Sequence, residues 1–261
     1  MKKGKVYFVG AGPGDPDLIT VKGMKAIKAA DIIVYDRLVN KELLTYATPL
    51  VKLIYCGKLP DRHTIPQREI NEILVTYACK GKTVTRLKGG DPNIFGRVGE
   101  EAEYCAANGI PFEIVPGITS GIAAAAYAGI PLTHRDLSSS CAFITGHKRT
   151  DGVPRETKWD KLATSVDTLV FYMGIGNLRM IHEQLVYHGR SPETPVALIR
   201  WGTTEEQETI VGTLRTIADM AEEARFTSPT IIVVGEVVAL RKKIAWFAEK
   251  EERMASLAQA K

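Results

Sequence analysis

The sequence RLKGGDPNIFGRVGEE, residues 86 to 101, continues a short β-branched strand pattern and then breaks it. The Gly89-Gly90 pair ends the pattern, and Pro92 fixes the turn that follows Asp91. Glycine lets the main chain approach a ligand without a Cβ atom in the way, and proline fixes the φ angle. We therefore expect the main-chain groups of this turn to contact a ligand at the end of a strand.

Apolar, β-rich runs alternate with amphipathic stretches on both sides of this turn. Strands are predicted over residues 5–9, 31–35, 51–55, 83–87 and 112–115, and again over 141–145, 168–172, 195–200, 208–211 and 230–234. Helical patterns begin near Thr20, Asn40, Pro66 and Gly99, and an Ala-rich helix is predicted over 122–127. The alternation indicates an α/β fold, with a mostly parallel sheet in the first half and a separate α/β lobe in the second.

The Pro- and Gly-rich turn PGITSG, residues 116 to 121, separates the two halves. We predict an N-terminal lobe over residues 1–115, a C-terminal lobe over 116–241 and a charged helical tail over 242–261. Ligands of such proteins bind between lobes or beyond the carboxyl ends of strands. Three segments are expected to face one cleft: GAGPGDP at 10–16, the strand end at 35–37, and the GGDP turn.

Composition excludes several classes of protein. The chain has 261 residues, of which 45% are hydrophobic and 25% charged, as in ordinary soluble globular proteins. Its longest apolar run, 122–132, is too short for a transmembrane helix, and no secretory signal precedes the first strand, so we expect a cytoplasmic protein without a membrane segment. The net charge of +4 is spread along the chain and does not indicate nucleic-acid binding.

The cysteines and histidines do not form a metal-binding pattern. Cysteines occur at 56, 79, 105 and 141 without any C-x-x-C pair, which favours buried free thiols over disulfides or zinc ligands. The five histidines form neither H-E-x-x-H nor H-x-x-E-H. We therefore predict that the protein holds no metal.

The first glycine-rich turn resembles a dinucleotide fingerprint only in part. Gly10, Gly12 and Gly14 follow a strand, and Asp36 ends the next one. The spacing, however, is G-x-G-x-G, and Asp15-Pro16 after it makes a poor helix N-terminus for a pyrophosphate. A structural βα turn is the alternative to NAD binding.

Two residues at strand ends could act on protons. Asp36 lies between Tyr35 and Arg37, where it could serve as a base or hold a ligand hydroxyl; a helix cap or an arginine partner is the alternative. Lys58 follows the third predicted strand, but most surface lysines have no specific role.

Three cations bracket the GGDP turn: Arg86, Lys88 and Arg97. Arginine binds carboxylates through paired, charge-assisted hydrogen bonds, whereas solvated surface charge is the alternative. Met173 follows an apolar strand, and its default role is packing.

Six motifs occur in the order found in the uroporphyrinogen-III C-methyltransferases, a family of the tetrapyrrole methylase superfamily. They are GAGPGDPDL, VYDRLV, GKLPDRHTIPQ, RLKGGDPNIFGRVGEE, VPGITS and GIPLTHRD. The resemblance extends over residues 4 to 240, and GGDPNIFGRVGEE together with GIPLTHRD resembles the uroporphyrinogen branch specifically.

The resemblance implies two α/β lobes with S-adenosylmethionine (SAM) in the cleft between them, usually in a homodimer. It implies two successive methylations of uroporphyrinogen III, a tetrapyrrole, which give precorrin-2 by way of precorrin-1. The implied cofactor contacts are Pro13, Gly89, Gly90, Asp91, Ile94, Thr119, Ser120, Met173 and Gly202. This interpretation replaces the dinucleotide one.

The resemblance also assigns roles to charged residues. It makes Asp36 the proton acceptor and Lys58 the proton donor. The substrate carries acetate and propionate carboxylates, which we expect Arg37 and Arg97 to bind, with Arg86 or Arg135 as further candidates.

Some features set this chain apart or leave alternatives. Asp61 stands where relatives commonly have glycine, which affects the loop of Lys58. The first strand begins within five residues of Met1, so we expect no N-terminal dehydrogenase and ferrochelatase module of the fused sirohaem synthases. The product could feed sirohaem, cobalamin or both. The alternatives are a SAM methyltransferase of a later corrin precursor, a nicotinamide oxidoreductase and a non-catalytic tetrapyrrole-binding protein.

Overall fold

The computed structural model describes residues 2–57, 65–146 and 157–249. The chain forms two compact units, Met1–Ser120 and Gly121–Lys261. Each unit contains one five-stranded sheet with helices, which confirms the predicted α/β class with two lobes. The lobe limits drawn from the sequence, at 115/116 and 241/242, stay predictions.

In residues 2–57 and 65–120, the N-terminal unit contains five short strands and three α-helices that lie wholly within it. The strands are β1 (Val6–Gly10), β2 (Ile32–Tyr35), β3 (Lys52–Tyr55), β4 (Val84–Lys88) and β5 (Phe112–Val115). The helices are α1 (Val21–Lys28), α2 (Gln67–Cys79) and α3 (Val98–Ala107), with 3-10 helices at Pro16–Leu18 and Lys41–Tyr46. The helical pattern near Asn40 is thus a 3-10 helix, and the Asn40 side chain caps it by accepting from the amide of Glu42.

All five strands of this sheet are parallel, in the order β3-β2-β4-β1-β5. A parallel sheet is covered on both faces, and alternate residues of β1 accordingly enter two different cores. Phe8 packs with Val34 and Leu74 in one core. Val9 packs with Ile27 in the other.

Parallel strands bring their carboxyl ends to one edge of the sheet. Five segments therefore meet there: 10–16 after β1, 36–38 after β2, 56–57 after β3, 89–92 after β4 and 116–120 after β5. Ligands of open α/β sheets bind at this edge.

The C-terminal unit has a mixed sheet, which the sequence pattern did not predict. Its strands are β6 (Cys141–Thr145), β7 (Thr168–Tyr172), β8 (Pro195–Arg200), β9 (Glu208–Thr213) and β10 (Thr230–Val234), in the order β6-β7-β10-β8-β9. Among the strands in the described residues of this unit, only β6 and β7 pair in parallel. The helices are α4 (Ser120–Tyr127), α5 (Trp159–Ser165), α6 (Leu178–Tyr187), α7 (Ile217–Glu223) and α8 (Arg241–Ile244), with 3-10 helices at Ile175–Asn177 and Glu236–Leu240. The first residue of α4, Ser120, is the last residue of the N-terminal unit.

The position of β10 decides which loops of this unit share an edge. It lies between β7 and β8 and is antiparallel to both, so β7 and β8 run in the same direction. Their carboxyl ends are followed by Met173 and by the turn at 201–203. These two segments therefore lie at the same edge of the second sheet.

The remaining sequence predictions have mixed outcomes. All four cysteines are free, but only Cys56 and Cys105 are buried. The prediction of buried thiols was wrong for Cys79, at the end of α2, and for Cys141, at the start of an edge strand. In the predicted tail the helix ends at Ile244, 245–249 are not helical, and 250–261 lie outside the described residues.

Within the described part of the chain, no helix is long and apolar enough to span a bilayer. No group of three or more His, Cys, Asp or Glu side chains in residues 2–57, 65–146 and 157–249 could hold a metal ion.

Candidate functional site

Two glycine-rich turns are joined at the carboxyl edge of the first sheet. Gly90 donates to the carbonyl of Gly12 at 2.7 Å, and Gly12 donates to the carbonyl of Gly90 at 3.2 Å. The amide of Ala11 also bonds to the carbonyl of Lys88 at 2.8 Å. Gly12 and Gly90 both have positive φ, at 77° and 70°, a conformation that glycine adopts without steric cost. The GAGPGDP and GGDP motifs thus form one main-chain unit, and Pro13 lies in it directly after Gly12.

The third glycine-bearing turn, PGITSG, packs against the other two. A Cβ atom on Gly117 would lie 2.4 Å from the carbonyl oxygen of Gly90, and one on Gly10 would lie 2.5 Å from the Cα of Gly117. Real Cβ atoms do not approach main-chain atoms so closely. Glycines at 10 and 117 are therefore required by close packing of main chains, at the point where β1, β4 and β5 end.

Asp91 fastens this arrangement with a buried carboxylate. Oδ1 accepts hydrogen bonds from the main-chain and side-chain nitrogens of Asn93, at 2.7 and 3.0 Å. Oδ2 accepts from the amide of Gly117 at 2.8 Å. The side chain of Asp91 therefore holds two turns together and is committed to protein partners.

The other predicted cofactor contacts of this unit lie close to the same turn. Ile94 donates its amide to the carbonyl of Asp91 at 3.2 Å. Thr119 and Ser120 lie on the side of Gly90 where a side chain would stand. A Cβ atom on Gly90 would lie 3.6 Å from the Cα of Thr119 and 3.7 Å from the main-chain nitrogen of Ser120. The N-terminal unit thus brings together seven of the nine predicted contacts: Pro13, Gly89, Gly90, Asp91, Ile94, Thr119 and Ser120.

Strained backbone follows the GGDP turn. Phe95 and Arg97 adopt positive φ angles of 55° and 58°, although neither is glycine. Such conformations concentrate at functional sites because the surrounding structure must hold them. The Arg97 guanidinium forms a bidentate pair with Glu100, with distances of 2.8 and 2.7 Å, on the exposed surface.

Asp36, at the end of β2, has two identified contacts. Oδ1 accepts from the amide of Leu38 at 3.2 Å, and Oδ2 lies 3.7 Å from Nη2 of Arg86. It does not cap the 3-10 helix, which Asn40 caps, so of the two structural alternatives the arginine partner is the one observed. Its neighbour Arg37 is exposed. Lys58, the predicted proton donor, and Asp61 lie outside the described residues.

A buried charge cluster lies behind Asp36. Glu101 is fully buried, and its Oε1 accepts from Lys88 Nζ at 2.9 Å, Gln67 Nε2 at 3.1 Å and Arg86 Nε at 3.3 Å. Its Oε2 has no hydrogen-bond partner within the described residues. Burial lowers the pKa of the Lys88 ammonium, and the positive charge of Arg86 lowers it further.

The cluster corrects two expectations about its cations. Arg86 and Lys88 are each only 4% exposed, so they are not solvated surface charges. Arg86 also donates to the carbonyls of Val34 and Leu87, and its interior position argues against contact with substrate carboxylates.

The sequence interpretation did not single out Glu101, yet a signal was present. Val98, Ala102 and Cys105 form the buried stripe of α3, and Glu101 lies on it. A carboxylate on the apolar stripe of a helix must find buried cations or donors.

The C-terminal unit supplies the last two predicted cofactor contacts. Met173 follows β7 with a positive φ of 54° and is 54% exposed. Gly202 lies after β8, between Trp201 and Thr203, which have positive φ angles of 49° and 71°. A Cβ atom on Gly202 would lie 2.4 Å from the Cβ of Ala124, so only glycine fits there.

The first glycine-rich turn does not open a helix. After Gly14 the chain forms the short 3-10 helix Pro16–Leu18, and α1 begins only at Val21. The Asp15 side chain caps the 3-10 helix by accepting from the amide of Asp17. A dinucleotide fingerprint requires a helix N-terminus directly at the glycines, so this geometry argues against the NAD interpretation.

Comparisons with known proteins find relatives that match most of the chain. Residues 5–218 match the family model "Tetrapyrrole (Corrin/Porphyrin) Methylases". The chain is 57% identical to a uroporphyrinogen-III C-methyltransferase of Bacillus subtilis, over 98% of this chain and 99% of the relative. It is 62% identical to one of Priestia megaterium, over 90% and 98%. It is also 51% identical to siroheme synthase 2 of Aeromonas salmonicida, over 95% of this chain but only 51% of that protein.

Solved structures show the same fold. The uroporphyrin-III C-methyltransferase of Thermus thermophilus, complexed with S-adenosyl homocysteine, is 36% identical and superposes with a TM-score of 0.78 over 91% of this chain and 100% of that one. A cobalt precorrin-4 methyltransferase is 30% identical, with a TM-score of 0.80 over 90% and 95%. From the family match and these identities, the chain belongs to the tetrapyrrole (corrin/porphyrin) methylases.

Proposed function

We propose that this chain is a SAM-dependent C-methyltransferase that converts uroporphyrinogen III to precorrin-2, by way of precorrin-1. The observation that carries the proposal is the identity of 57% and 62%, over nearly the full length of both chains, to two uroporphyrinogen-III C-methyltransferases. The cobalt precorrin-4 methyltransferase shares the fold at 30% identity. Fold similarity therefore does not select the substrate, and the higher identities favour uroporphyrinogen III over a later corrin precursor.

The residues at the strand ends fit SAM as the methyl donor. In the N-terminal unit, Leu38 and Phe95 expose 45% and 42% of their surface beside the glycine turns. In the C-terminal unit, Met173 and Trp201 expose 54% and 40% at the shared edge of β7 and β8. Large apolar side chains exposed next to glycine-lined main chain are typical of a ligand site.

The chemistry requires alignment more than a protein nucleophile. When bound, SAM supplies a methyl group already activated on a sulfonium, and the pyrrole carbon of the substrate is an electron-rich nucleophile. The chain must hold the two reactants in line and keep water away. The fixed turns around Gly90, Asp91 and Gly117 suit that task because both oxygens of the Asp91 carboxylate hold them in place.

Proton removal from the methylated ring is assigned to Asp36. Its carboxylate is partly exposed at the carboxyl edge of the sheet, where the substrate would lie. Arg86, anchored by Glu101 and two main-chain carbonyls, faces Oδ2 of Asp36 and orients it. Lys58 is proposed as proton donor on the resemblance alone.

Arg37 and Arg97 are proposed to bind the substrate carboxylates. Arg37 is exposed directly after Asp36, which suits contact with an anionic ring substituent. Arg97 is paired with Glu100 and would have to exchange that carboxylate for one of the substrate. By resemblance to the family, we also propose a homodimer that works in the cytoplasm and whose product is used for sirohaem, cobalamin or both.

The proposal is tested by an anaerobic assay with SAM and enzymatically generated uroporphyrinogen III, following product mass. Addition of two methyl groups is expected. If the protein binds S-adenosyl homocysteine but leaves uroporphyrinogen III unchanged, the substrate is a later corrin precursor. If it does not bind S-adenosyl homocysteine, the cofactor assignment is wrong and a non-catalytic tetrapyrrole-binding protein becomes the better interpretation.

A further inference from the structure

Residues 241 to 249, the last part of the chain that the structure describes, bind the C-terminal end of α4. Nη1 of Arg241 donates to the carbonyl of Ala128 at 2.7 Å, and Nε1 of Trp246 donates to the carbonyl of Ala126 at 2.9 Å. The last carbonyls of a helix lack i+4 partners within the helix and bind other donors. The carbonyl of Ala126 also accepts from the amide of Gly129 at 3.0 Å, and Trp246 adds a second donor to it. The segment thereby fixes α4 within the C-terminal unit.

Glu249 binds the same segment to a second place. Its Oε2 accepts from the amide of Thr209 at 3.0 Å, and its Oε1 accepts from the Thr209 hydroxyl at 2.5 Å and from Nε2 of Gln207 at 3.2 Å. Arg241 lies 3.0 Å from Oε1. The carboxylate is only 12% exposed, so these contacts are shielded from bulk water.

Gln207 carries the connection inward. Its side chain is fully buried, and its Oε1 accepts from the amide of Thr203 at 2.8 Å while its amide nitrogen donates to Glu249. The two partners require opposite ends of the side-chain amide, so they fix its orientation. A chain of hydrogen bonds thus runs from Glu249 through Gln207 to the main chain at Thr203.

The turn at the end of this chain needs such support. Trp201 and Thr203 both adopt left-handed conformations, which are unfavourable for residues other than glycine and persist only where neighbouring groups hold them. Between them, Gly202 packs against Ala124 of α4, the helix that the same C-terminal segment fixes. The segment therefore determines both the turn and the surface on which the turn packs.

We propose that Glu249 is a positioning residue that holds the Trp201–Thr203 turn, through Gln207, in the shape needed to bind the methyl donor. This inference rests on the proposed function, because Gly202 is a cofactor contact by resemblance to the family. Glu249 acts here without touching the ligand. Loss of the Glu249 carboxylate should therefore weaken cofactor binding by more than the accompanying decrease in melting temperature accounts for.

The test is a set of three variants in the full-length chain, titrated calorimetrically with S-adenosyl homocysteine. Q207E places a second carboxylate against Glu249 and is expected to weaken binding about tenfold, or ~1.4 kcal/mol. E249Q alone is expected to lose less, because its side-chain oxygen can still accept from Thr209. The double variant Q207E/E249Q restores a donor opposite an acceptor and is expected to recover most of the affinity. Glu223→Gln, on the exposed face of α7, is the matched control and should bind like the wild type.

Two outcomes would overturn this inference alone. One is equal affinity of the wild type and Q207E. The other is a combined result: the double variant binds no better than Q207E, and in all three variants the loss of affinity is proportional to the decrease in melting temperature relative to the wild type. That pattern describes a purely structural role. Absence of binding by the wild type would instead overturn the proposed function and this inference with it.

Discussion

Oδ2 of Asp91 lies 2.8 Å from the main-chain nitrogen of Gly117 and accepts its hydrogen bond. One carboxylate thereby joins the turn after β4 to the turn after β5. The same turns touch again where Gly117 packs against the carbonyl of Gly90. The shape of the glycine-lined edge consequently depends on a side chain that need not touch the ligand.

Replacing Asp91 by alanine should weaken binding of the methyl donor. The change leaves the main-chain amides of Gly117 and Asn93 without their acceptor. Because neither residue is fully buried, each loss should cost less than the about 1–3 kcal/mol of a fully buried unsatisfied donor. We expect a lower melting temperature and at least about tenfold weaker binding of S-adenosyl homocysteine, which corresponds to ~1.4 kcal/mol. Titration calorimetry measures this, with Asp17→Ala as the exposed control. Unchanged affinity in a folded Asp91→Ala variant would contradict it.

Asp36→Asn should separate chemistry from cofactor binding. Asparagine keeps the acceptor for the amide of Leu38 but cannot take up a proton as a carboxylate does. General-base catalysis contributes about 10²–10⁴-fold, so kcat should fall by about that factor. The affinity for S-adenosyl homocysteine should stay as in the wild type. A variant that keeps its full kcat would remove Asp36 from the mechanism.

The Arg97–Glu100 pair gives a two-sided test of substrate binding. If Arg97 binds substrate carboxylates, Arg97→Ala should raise the KM for uroporphyrinogen III, because a charge-assisted contact is lost. Glu100→Gln should lower it, because a competing carboxylate is removed from the guanidinium. Steady-state kinetics at saturating SAM measure both. A KM that does not respond to either change would exclude the contact.

Glu101→Gln should strongly destabilise the protein. The variant has nearly the same shape but leaves Arg86 and Lys88 buried without their carboxylate. Breaking a buried ion pair by removing one partner costs about 3–5 kcal/mol. Urea unfolding followed by circular dichroism measures the loss, and Glu103→Gln, two residues along on the exposed side of α3, is the control. Equal unfolding midpoints for the two variants would show that losing the Glu101 carboxylate beside Arg86 and Lys88 does not lower the free energy of unfolding.

The lowered pKa of the Glu113 carboxyl leads us to expect a specific pH dependence of stability. Hydrogen bonds from Lys22 and Lys5 lower the pKa of the Glu113 carboxyl from 4.5 to about 2. Because the pKa of Glu113 is lower in the folded state, its interactions with Lys22 and Lys5 stabilise the fold fully above pH 4.5. This contribution is lost as the pH falls towards about 2. Glu113→Gln should therefore melt below the wild type at neutral pH, and the difference should shrink across that range. A difference that is constant with pH would contradict the assignment.

The sequence by itself determined the elements and much of the site. Nine of the ten strands were predicted within one residue at each end, and β9 extends two residues further. Five of the nine coincide with the predicted limits: β5, β6, β7, β8 and β10. Such runs are readable because β-branched residues and turn residues act locally. The parallel pattern of the first half also placed Asp36 and the turn at Gly89 at one edge, since parallel strands share their carboxyl end.

Only the tertiary structure decided which charges are buried and which strands are antiparallel. The sequence left open whether Arg86 and Lys88 are surface charges and did not single out Glu101, because burial of a charge depends on partners brought together from β4 and α3. The reversal of β10 between β7 and β8 depends on long-range pairing that no local pattern encodes. The same holds for Glu249, whose connection to Thr203 passes through residues 40 or more positions away in the chain. Local chemistry specifies the elements, whereas contacts distant in sequence decide how they support a site.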